Sequence, residues 1–96
     1  MAGELPKSVR DVLLDILYRT MLQIRIAGWG GNAELCAAVA DQGRNIPAIV
    51  ETGKPELLDY YLDVEVPCFR SRVTAEDCRF FEANWSLLEK WRRTTR

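Results

Sequence analysis

The residues that most often carry chemistry are sparse in this chain. Histidine is absent, which removes the commonest general acid/base and the commonest metal ligand. The three cysteines, Cys36, Cys68 and Cys78, have no C-x-x-C spacing, and a tetrahedral metal site would need a fourth ligand from elsewhere. No metal and no cofactor are expected, and Cys36 and Cys78 read as small buried hydrophobes. Serine and threonine nucleophiles have no histidine base to activate them, so the chain does not read as an enzyme.

Three further groupings could bind a ligand. The run Gly28-Trp29-Gly30-Gly31 resembles a phosphate loop only in its glycines. It lacks the Gly-Lys-Ser/Thr that follows a P-loop, and a helical pattern, not a strand, precedes it. Trp29 in this run is a candidate partner contact, because tryptophan is enriched among interface anchors. Glu56, Asp59 and Asp63 recur at three- and four-residue spacing and form a candidate acidic face, able in principle to hold a cation or move a proton. Lys90, Arg92 and Arg93, beside Trp85 and Trp91, form a candidate basic face of the kind that holds single-stranded nucleic acid. Basic residues at a helix C-terminus also complement the helix dipole.

Charge is split along the chain. Glu51 to Glu65 carries five acids and one lysine, a net of −4, whereas Val66 to Arg96 carries seven basic residues and four acids, a net of +3. The whole chain has 13 basic and 14 acidic side chains, so there is no global pull toward nucleic acid or anionic membrane. An odd cysteine count in a chain of this size argues against a disulfide-stapled secreted domain and for the cytoplasm. Val9 to Ile26, the longest apolar-rich stretch, contains Arg10, Asp11, Asp15, Arg19 and Arg25, too many charges for a membrane span.

The elements that must position these groups are helices. Val9, Val12, Leu13, Ile16, Leu17 and Ile24 recur with a helical period from a start near Ser8. A second stripe, Leu14, Tyr18, Leu22 and Ile26, repeats every four residues on the other side. A helix apolar on two sides is either central in its own fold or shared with a second chain. After the glycine run, Asn32 caps a second helix ending at Gly43, with Ala33, Cys36, Ala37 and Ala40 as a small-residue face. A short third helix runs from Pro47 to Thr52 and is closed by Gly53. A fourth begins at Pro55, buries Leu57, Leu58, Tyr61 and Leu62, and is ended near Glu65 by Pro67. A polar connection follows. Thr74 caps the last helix, which places Cys78, Phe81, Trp85 and Leu88 on one apolar line and Phe80, Leu87 and Trp91 on the next.

These features predict an all-α fold, a compact bundle of four to five helices with short connections. It forms one domain over 1–96, with residues 1–7 loosely ordered and 93–96 frayed. The expected function is a non-catalytic protein–protein interaction module, either self-associating as a homodimer or binding another protein as adaptor or inhibitor. Leu14, Tyr18, Leu22, Ile26 and Trp29 are the candidate contacts. The alternative is a small nucleic-acid-binding regulator that uses the basic C-terminal helix.

Overall fold

A computed structural model describes residues 5–26 and 33–95. The glycine run with Trp29 lies outside them, as do the side chains of Ile24, Ile26, Ala33 and Cys36. The fold is an all-α bundle: α1 (Lys7–Ile26), α2 (Ala33–Thr52), α3 (Pro55–Tyr60), a π turn (Tyr61–Glu65), α4 (Val66–Arg72) and α5 (Ala75–Thr95). α3, the π turn and α4 follow one another without a break, so the chain builds four helical arms. Each arm runs antiparallel to its neighbours, as the cross-links show. Arg19 reaches Phe80 and Asp15 reaches Asn84; Leu5 meets Gly53 and Thr20 meets Gln42; Asp41 meets Arg72 and Asn45 meets Glu65; and Arg70 meets Glu82 while Asp63 meets Arg92. This is an up-down-up-down bundle. Its radius of gyration, 13.1 Å, matches the ~13 Å of a folded chain of about 100 residues.

The buried face of α1 is Val9, Leu13, Ile16 and Thr20, three to four residues apart as a helix facing a core requires. α5 buries Cys78, Phe81, Trp85 and Leu88, the line its spacing predicts. The adjacent line departs from expectation: Phe80 and Leu87 are exposed and only Trp91 packs against the core. Thr74 accepts the Asp77 amide at 3.2 Å, an N-cap bond. At the other end α5 runs to Thr95. Near the N-terminus the described residues begin at Leu5, which makes contacts of its own. Leu5 is buried and donates its amide to the Gly53 carbonyl at 2.8 Å, while Arg10 Nε donates to the Leu5 carbonyl at 3.2 Å.

Two helix ends expected from glycine and proline are not there. α2 runs unbroken past Gly43 and Pro47 to Thr52. Proline and glycine inside a helix together cost about 4 kcal/mol. Val39, Ile46 and Ile49 are all buried, each contributing about 1.5–3 kcal/mol. Burial therefore outweighs local propensity, and Gly43 is the residue four before Pro47, where the proline ring presses on the preceding turn. The expected small-residue face is also displaced: Ala38 and Val39 are buried, whereas Ala37 and Ala40 are exposed.

Pro67 likewise does not end its helix. The Val66 amide bonds to the Tyr61 carbonyl, five residues back, and Pro67 then occupies the first turn of α4, where a missing N–H leaves no bond unmade. The expected polar connection is helix instead, with Val66 and Phe69 buried. The π turn also sets the helix phase. In an unbroken α-helix, at about 100° per residue, Tyr61 would sit about 100° from the centre of the line Leu58, Leu62, Val66, Phe69 and Val73. One extra residue in the turn shifts the later part of that line back and brings Tyr61 within it, where it is fully buried.

Candidate interaction surfaces

The centre of the bundle is a hydrogen-bonded chain with one side chain from each arm. Trp85 Nε1 donates to the Tyr61 hydroxyl at 3.0 Å, and that hydroxyl donates to Gln42 Oε1 at 2.6 Å. Gln42 Nε2 donates to Thr20 Oγ1 at 3.1 Å, and Thr20 Oγ1 donates to the Ile16 carbonyl at 2.8 Å. Among the described residues no buried side-chain nitrogen or oxygen lacks a partner. Burial pushes the Tyr61 phenol well above its ordinary range, so it stays protonated and serves as a fixed donor, not as an acid or base. Around it Phe69 meets Phe81 and Trp85 edge-on at 5.5 and 5.7 Å, Phe81 stacks on Trp85 at 5.6 Å, and the Arg70 guanidinium lies 4.9 Å from the Trp85 ring centre. Trp85 and Tyr61 were legible as inward residues. Gln42 and Thr20 were not, because a single polar side chain on an apolar face carries no periodic signal.

One candidate surface is the outer face of α1. Leu14 is 47%, Tyr18 59% and Met21 54% exposed, and Leu22 is half-buried. The Ile26 side chain and Trp29 lie outside the described residues. The opposite face of the helix packs on the core through Val9, Leu13, Ile16 and Thr20, so the outer stripe points away from the other arms. Charges bracket it: Asp11, paired with Lys7 at 3.0 Å, at one end and the exposed Arg25 at the other. On its flank Arg19, Gln23 and Phe80 line a shallow depression between α1 and α5. Asp15, one turn before Arg19, accepts from Asn84 and Arg19, both at 2.9 Å, and these bonds hold its carboxyl below the ordinary range.

The acidic and basic faces meet inside the fold. Arg92 pairs with Asp63 at 2.9 Å, with Glu89 at 3.0 Å and with Asp59 at 3.4 Å. The hydrogen bonds Arg92 donates to Asp63 and Glu89 push its pKa up, and only 21% of its side chain is exposed. Much of the charge split is thus neutralised internally. Glu56, Lys90 and Arg93 remain on the surface, with no geometry that gathers them into one site.

A second concavity, about 260 Å³, opens between α2 and the π turn. Gln42 and Phe69 line it, and Asp41, Asn45, Glu65 and Arg72 surround its mouth with Tyr60, Val64 and Cys68. Arg72 and Arg44 both bond to Asp41, and Asn45 donates to Glu65. Burial, with the Asp41 charge adding to it, pushes the Glu65 carboxyl upward. Its polar groups are engaged with one another, and it offers no nucleophile–base pair. Cys78 is buried and its thiol is pushed up by that burial, the opposite of what a reactive thiolate needs. Among the described residues no three potential metal ligands cluster, and no helix is long and apolar enough to cross a membrane. The chain matches no family model, no curated protein and no solved structure.

Proposed function

We propose that this chain is a non-catalytic protein–protein interaction module whose contact surface is the outer face of α1. One observation carries the reading: Leu14, Tyr18 and Met21 stand exposed on successive turns of a helix whose other face buries Val9, Leu13, Ile16 and Thr20. Scattered apolar residues on a surface need no explanation, but a contiguous stripe of them marks an interaction site. Tyrosine and methionine at its centre are residue types enriched at interfaces. Cys68 and Cys78 are free thiols, in keeping with a reducing compartment such as the cytoplasm.

The test uses Leu14→Asp and Tyr18→Asp. Both positions are exposed, so each change is expected to alter stability by no more than about 0.5 kcal/mol. Each should abolish capture of whatever protein the wild-type chain retains from its native cell. If both variants fold as well as wild type and capture the same proteins, α1 is not the contact surface.

A further inference from the structure

The outer face of α1 is self-complementary, and we infer that its partner is a second copy of the same helix, packed antiparallel about a two-fold axis at Tyr18. This inference rests on the interaction-module reading and adds the partner's identity and register. Count outward from Tyr18. Four residues in either direction stand Leu14 and Leu22; seven residues in either direction stand Asp11 and Arg25. At about 100° per residue all five lie within about 40° of one line along the helix. Tyr18, the most exposed of this helix's large apolar side chains among the described residues, is at the centre.

A two-fold axis that reverses the helix maps each position onto its mirror in that count. Leu14 of one copy then faces Leu22 of the other, Tyr18 faces Tyr18, and Asp11 faces Arg25 at both ends. An isologous interface requires such self-complementarity; it holds here for Leu14 with Leu22 and for Asp11 with Arg25, while Met21, three residues from Tyr18, falls at the flank opposite Asp15. Moving the axis one turn toward the C-terminus sets Tyr18 against Arg25, and moving it one turn the other way sets Lys7 against Met21. A parallel pair would set Asp11 against Asp11 and Arg25 against Arg25, which is repulsive. Asp11, Tyr18 and Arg25 are seven residues apart, so they recur on one line at the coiled-coil period. The two charged pairs lie about 21 Å apart along the helix and can close together only at a shallow crossing of about 20°, the coiled-coil geometry. Asp11 already binds Lys7 through Oδ2 at 3.0 Å, and a carboxylate accepts more than one donor.

The experiment is sedimentation equilibrium of the full chain at low ionic strength, with Asp11→Arg and Arg25→Asp made singly and together. Wild type should dimerise. Either single reversal places like charges at both ends of its own homodimer and should weaken association about tenfold. An equimolar mixture of the two single variants should associate within about threefold of wild type, because each mixed dimer carries two opposite-charge pairs. The double variant, with both ends swapped, should also recover. All of these positions are exposed, and circular dichroism checks that each variant is folded. A wild type that stays monomeric, a reversal without effect, or a mixture no tighter than the singles each overturns the pairing. A monomeric wild type whose Tyr18→Asp variant still loses its captured protein would retain the interaction module and eliminate self-pairing, so the two failures are separable.

Discussion

Replacing Tyr61 by phenylalanine removes one oxygen and leaves the packing volume almost unchanged, so it isolates the contribution of the central hydrogen bonds. In the native fold that oxygen accepts from Trp85 Nε1 and donates to Gln42 Oε1. Tyr61 and Trp85 are at most 1% exposed and Gln42 3%, so water has little access to replace the lost bonds. A buried donor or acceptor left unpaired costs about 1–3 kcal/mol. Two such groups put the penalty at about 2–4 kcal/mol. A domain of this size holds about 5–10 kcal/mol in all. The variant should melt about 10–20 °C lower, with the urea midpoint falling by about 1–3 M. The cycle with Gln42→Leu sharpens the test. In the double variant Thr20 keeps its bond to the Ile16 carbonyl, and only the Trp85 N–H is left without a partner. The double should therefore cost about 1–2 kcal/mol less than the sum of the singles. A Tyr61→Phe penalty below about 1 kcal/mol, or strict additivity with Gln42→Leu, would show that the chain of bonds is not an energetic unit.

Three further outcomes follow from particular residues. Gly43 has nothing within 4 Å of where a Cβ would stand, so Gly43→Ala should stabilise α2 by about 0.5–1 kcal/mol in urea denaturation. Gly53 has φ +66°, a backbone conformation that residues with a Cβ rarely adopt, so Gly53→Ala should instead cost about 1–3 kcal/mol in the same assay. Arg92→Gln leaves Asp59, Asp63 and Glu89 facing one another; it should cost about 1 kcal/mol at low ionic strength, and the loss should shrink in about 1 M salt. Glu65, whose folded pKa is raised above the ordinary 4.5, gives stability that is fully present below that value and is lost as the pH rises through the folded pKa. Glu65→Gln should therefore be more stable than wild type at neutral pH, with the gap closing in acid, as pH-dependent denaturation would show.

What was readable from residue order was whatever repeats. The buried lines of α1 and α5 and the Thr74 cap follow from helical spacing and local capping chemistry, and so does the stripe at Leu14 and Tyr18 that the fold leaves exposed. Gly43, Pro47 and Pro67 misled for one reason: propensity is a local cost of a few kcal/mol, and burial of Ile46, Ile49, Val66 and Phe69 comes from partners distant in sequence. Phe80 and Leu87 were misplaced because a line of apolar residues does not say how wide the buried sector is; on α5 it stops at Asn84, which is buried and bonds to Asp15. The charge split was legible. That Arg92 closes it internally was not, since it depends on how α5 lies across α3 and the π turn.

The π turn holds one residue more than the helix around it needs, which makes it a point of slack in chain length. Its five residues cover about the rotation that four cover in an α-helix. Val64 is exposed in that turn, and most substitutions there should be silent. Its deletion should be tolerated as well, because the segment can close into an ordinary α-helix while the residues after it keep their phase, with Phe69 still against Phe81 and Trp85. Adding a further residue there has no such outlet. It would rotate everything after it by about 100°, swinging Phe69 and Arg70 away from Trp85, and thermal denaturation of the two variants would separate a spliced-out residue from a broken phase.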